Sequence, residues 1–69
     1  MPGTGIFALL QEAKAEAKQA RIDEAKQAER AAEVSGTADD WYYAALMWAR
    51  AGDHDRSRIC RENANEAEA

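Results

Sequence analysis

The chain has 69 residues, 46% of them hydrophobic and 32% charged, with a formal net charge of −4 and a pI near 4.8. That length permits one domain. Chains this short bury only about 60% of their unfolded surface and generally need disulfides, a metal or a second chain for stability. A single cysteine, Cys60, excludes an intrachain disulfide, and one histidine beside it cannot build a four-ligand zinc site. The acidic balance argues against general nucleic-acid binding, which requires a basic surface. Oligomerisation remains as the means of completing a core.

The N-terminal apolar run Ile6-Phe7-Ala8-Leu9-Leu10 has no basic residue before it and is too short for a signal-peptide core. No segment approaches the roughly 20 apolar residues that span a bilayer. A cytoplasmic protein with no membrane partner and no cofactor is expected. Breakers fall only at Pro2–Gly5, Ser35-Gly36-Thr37 and Gly52-Asp53, so the chain reads as three helices over about 4–34, 38–51 and 54–67. The first contains good helix formers and no internal Gly or Pro. It carries a seam, Ile6, Leu10, Ala13, Ala17 and Ala20, at alternating four- and three-residue spacing. The series resumes at Ala28, Ala31 and Val34 after an interruption at Glu24.

Charges beside the seam repeat in sign at four-residue spacing: Glu12 with Glu16, Lys14 with Lys18, Lys26 with Arg30, Glu29 with Glu33. Such repeats mildly destabilise an isolated helix. Either they solvate an exposed face, helped by Asp23–Lys26 and Arg30–Glu33 pairs, or a neighbouring helix relieves them.

The second helix opens at Thr37, a hydroxyl cap, with Asp40 placed to complete a capping box. It closes at Arg50-Ala51-Gly52, where glycine allows a left-handed cap. Asp53 caps the third. At about 14 residues the second helix is roughly 20 Å long against about 45 Å for the first. Folded back, it covers the first helix only to about Ala20. Ile6 to Leu10 then project about 15 Å or more beyond the hairpin, an exposed apolar cluster unsuited to a soluble monomer. Unless helix 1 breaks near Ile22, where no breaker stands, these residues meet another chain. An antiparallel homodimer is expected, with Ile6, Phe7, Leu10, Ala13 and Ala17 at its interface.

Trp41, Ala45, Trp48, the turn Ala51-Gly52-Asp53-His54-Asp55, Ser57 and Ala64 occupy matching places in a helix-turn-helix unit, and residues 38–69 thereby resemble one tetratricopeptide repeat. The resemblance implies a hairpin with Trp41 and Trp48 on one face and small residues at the helix crossing. It also implies a peptide-contacting row on helix 2: Asp39, Tyr42, Leu46, Ala49 and Arg50. Tyr42 and Leu46 could equally be core against helix 1. The chain departs from the family at Cys60 and Arg61, where large apolar groups are usual, and at Ile59, a site usually polar. A departure there implies a rotated third helix. A three-helix bundle with a chance turn is the competing reading. The fold class expected is all-α: a long N-terminal helix and a TPR-like hairpin in an oligomeric bundle.

Catalytic chemistry finds little support. His54 and Ser57 are three apart, yet nothing supplies a pocket or oxyanion hole. Asp53-His54-Asp55 points in several directions and lacks a second ligand pair. Cys60 reads as a small core residue, and Arg56, Arg58 and Arg61 as partners of Glu62 and Glu66 at helix spacing. Two functions fit: a non-enzymatic interaction module, homodimeric and binding a protein or peptide, or a small acidic regulator of a basic nucleic-acid-binding protein.

Overall fold

A computed structural model describes residues 2–69, with side chains from Leu9 onward. It is all-helical. α1 spans Pro2–Ser35, α2 Ala38–Arg50 and α3 His54–Glu68, and no strand occurs among the described residues. α1 is unbroken through Ile22, and no helix of the described residues is long and apolar enough to cross a membrane.

Local chemistry explains each reversal. At the end of α1, Gly36 adopts φ 68° and its N–H donates to the Ala32 carbonyl at 2.8 Å, the single-bond left-handed ending of a helix. Thr37 then caps α2, its hydroxyl accepting from the Asp40 N–H at 3.3 Å. The reciprocal half of the capping box does not form. The Thr37 N–H donates instead to Ser35 Oγ at 3.3 Å, because the α1–α2 turn brings that hydroxyl closer than the short Asp40 side chain reaches. At the α2–α3 turn Gly52 has φ 86°. The Gly52 N–H donates to Ala49 O and the Asp53 N–H to Trp48 O, both at 3.0 Å, a complete Schellman closure. Asp53 caps α3 through Arg56 N–H at 3.0 Å and holds the Arg56 side chain in an ion pair at 3.4 Å.

The core lies where α2 is flanked by α1 and α3. It is built mainly from small residues: Ala25, Ala28 and Ala32 of α1, Ala44, Ala45, Met47, Trp48 and the capping Ala51 of α2, Cys60 and Ala64 of α3. Trp48 is its largest side chain and is 2% exposed. The alanines let the helix backbones approach closely around it. Ile22 and Trp41 pack on the margins.

The face of α1 that enters this core is a different stripe from the seam. Ile22, Ala25, Ala28, Glu29 and Ala32 turn inward, whereas Ala31 is exposed and Val34 is 90% exposed. The reason is rotational: positions 22, 25, 29 and 32 recur on one helical stripe, and Ala31 and Val34 lie beside it. The pairs Asp23–Lys26 and Arg30–Glu33 also do not form. Among the described residues the ion pairs are Arg56–Asp53 and Arg58–Glu62, the latter at 3.9 Å, and Asp23 instead accepts from Gln19 Nε2 at 3.0 Å.

Candidate interaction surface

Three surfaces remain open once the core is assembled. The first is the amino-terminal half of α1. Every residue from Leu9 to Arg21 is exposed, and Ile22 is the first to be partly covered. α1 has 34 residues and α2 only 13, about 51 Å against 20 Å, so the shorter helix runs out of length near Ile22. The molecule is correspondingly elongated, 59 Å along its longest axis. Leu9 and Leu10 are 66% and 53% exposed, and Ala13 and Ala17 lie open on the same stretch. Of the five residues expected to line a dimer interface, Leu10, Ala13 and Ala17 are therefore solvent-facing; Ile6 and Phe7 lie outside the residues whose side chains are described.

The second surface is the outer ridge of α2. Asp39, Tyr42, Leu46 and Arg50 are all exposed. The alternative place for Tyr42 and Leu46, in the core against α1, is taken by Ala44, Met47 and Ala51. Tyr42 turns toward α3, where its hydroxyl donates to Asn65 Oδ1 at 2.8 Å. With Leu46, Ala49, Ser57 and Arg61 it borders a shallow groove between α2 and α3. Arg50 lies on the other flank, bordering a groove with Glu24, Gln27, Tyr43 and Met47 between α1 and α2. The row is thus divided between two grooves. Tyr43 (56% exposed) and Ile59 (48%) add apolar area to the surface. Tyr43 follows directly on the expected row, one residue round from Tyr42, and only the angle at which α1 meets α2 shows that it stays uncovered.

The third is a cleft of about 670 Å³ between α1 and the α2–α3 turn, lined by Lys18, Ile22, Lys26, Trp48, His54 and Arg56 among others. Its charged groups serve the fold first. The Arg56 guanidinium sits 4.8 Å from the centre of the Trp48 ring while paired with Asp53, a cation–π contact that seals the indole face. The Trp48 Nε1–H is buried without a partner.

The nucleophile candidates are committed elsewhere. The buried Ser57 Oγ donates to the Ala45 carbonyl at 2.7 Å, fastening α3 to α2, while His54 is exposed. Cys60 is fully buried and its thiol donates to Glu29 Oε1 at 3.4 Å. Burial, then the Glu29 bond and charge, push the thiol up to about 12. At neutral pH it is protonated, and a protonated thiol is a poor nucleophile and a poor metal ligand. No cluster of three metal-ligating side chains occurs among the described residues. Comparison of the chain with protein-family models, curated proteins and solved structures finds no match.

Proposed function

We propose that the chain is a non-enzymatic protein-interaction module that works as a homodimer, joined through α1, with the α2–α3 hairpin acting as a single TPR-like unit. One observation carries the reading: the stretch Leu9–Arg21 projects from the core with two leucines in water. Such a contiguous exposed apolar end is a hallmark of an interaction site. Burying each leucine contributes about 1.5–3 kcal/mol before the entropy of association is subtracted. Burial of Ala45, Trp48, Ser57 and Ala64 at the hairpin crossing supports the repeat reading. So does burial of Cys60 with exposure of Ile59, because the family's usual apolar and polar sites then keep their places and no rotation of the third helix is needed. Pairing through α1 leaves Asp39, Tyr42 and Leu46 free for a protein or peptide partner.

Sedimentation equilibrium tests the dimer. A mass near twice 7.6 kDa is expected at micromolar concentration, falling to the monomer mass in the Leu9→Glu, Leu10→Glu double variant. A monomer at high micromolar concentration in the unmodified protein refutes the reading.

A further inference from the structure

We infer that the second copy lies parallel and in register along the projecting half of α1, with Leu10, Ala13, Ala17 and Ala20 at the seam and Glu16 of each copy paired to Arg21 of the other. The inference rests on the homodimer reading and adds its orientation. All four seam residues are exposed in the single chain, at the alternating three- and four-residue spacing of a two-helix seam. The flanks of that seam differ in sign. Lys14 and Arg21 line one side; Glu16 and Asp23, with the exposed Leu9, line the other.

Glu16 and Lys14 have no opposite charge three or four residues away on their own helix. Neither they nor Arg21 join an ion pair among the described residues. Their charges are available to a neighbour.

In a parallel in-register pair, unlike flanks meet: a residue before the seam faces one five positions later on the second copy. Glu16 then meets Arg21 twice, once on each side of the dyad, and Leu9 lies over the aliphatic stem of Lys14. The antiparallel pair, the orientation expected from the apolar seam before its flanking charges are weighed, brings like flanks together. Glu16 would then face Glu16, and Lys14 would face Lys14, so the charge pattern opposes it. The parallel pair has its own limit at Glu24, the next seam position, which would face itself. That limit falls where each helix enters its own core, since Ile22 is partly covered and Ala25 fully buried. Pairing therefore occupies Leu9–Arg21 and the helices diverge beyond it.

Cross-linking and charge reversal test the orientation. With Cys60 buried and unreactive, Leu10→Cys alone should form a covalent dimer under oxidised glutathione, and Ala20→Cys alone likewise, while the unmodified protein should not. Glu16→Arg and Arg21→Glu should each weaken the dimer about tenfold at low salt, and the two together should restore it. Cross-linking only in a mixture of the Leu10→Cys and Ala20→Cys chains, or single reversals without effect on a dimer that does form, would overturn the parallel arrangement and leave the homodimer standing. A monomer by sedimentation would overturn both.

Discussion

Trp48 and Cys60 show how much a small core demands of single residues. Trp48 is the largest side chain in a core otherwise made mostly of alanines, so Trp48→Ala should cost at least about 3 kcal/mol, the cavity being too wide for alanine neighbours to fill. Trp48→Phe should cost clearly less, because it keeps most of the volume and removes an N–H that has no partner. Urea unfolding of both variants measures the difference, and equal losses would mean that the indole N–H has a partner in solution. Cys60 gives the fold a pH dependence. Its thiol is raised to about 12 from 9.0, so its contribution is fully present below pH 9 and is lost as pH rises from about 9 toward 12. Thermal melts across that range should fall more steeply for the native protein than for Cys60→Ala; parallel curves would show that the thiol titrates normally. Ser57→Ala should cost about 1 kcal/mol, since it removes a donor across the α2–α3 contact without burying an unmet hydroxyl.

At the scale of elements, the two turns are held by glycines for conformational reasons alone. A Cβ at Gly52 would meet nothing within 4 Å, yet φ is +86°. Gly52→Ala should therefore cost about 1–2 kcal/mol through strain, and Gly52→Asn less, because asparagine tolerates the left-handed region. A denaturation series of the three proteins ranks them. The caps were legible beforehand: Thr37 and Asp53 occupy their places because a hydroxyl or carboxylate before a helix meets its free N–H groups. The rotation of α1 was not. Its alanines are spread over more than one face, and periodicity cannot choose between faces of similar apolarity. The partner surfaces of Trp48, Met47 and Cys60 make that choice.

For the whole molecule, the mismatch in helix length governs behaviour. α2 and α3 cover the carboxy-terminal part of α1 and leave Leu9–Arg21 exposed, a lever about 20 Å long over those residues. If pairing protects that lever, amide exchange in residues 9–21 should slow as protein concentration rises, while exchange in residues 25–34 should not change. Concentration-independent exchange in both halves would show an unpaired α1. The projecting apolar end was visible in the order of residues, since helix lengths follow from the breakers and the hydrophobic clusters sit at known distances along them.

Sequence alone determined that this chain is all-helical, where its two turns fall, and that α1 outruns its hairpin. Those properties depend on local chemistry: propensity, capping, glycine at positive φ, and length. Tertiary structure decided which stripe of α1 is buried, that Tyr42 and Leu46 stay outside while Ala44 and Met47 go in, and that Arg50 borders a different groove from Leu46. These depend on how neighbouring helices cross, and in a core of alanines around one tryptophan the crossing is set by the shape of that tryptophan and the few contacts around it, which no spacing along a single helix encodes.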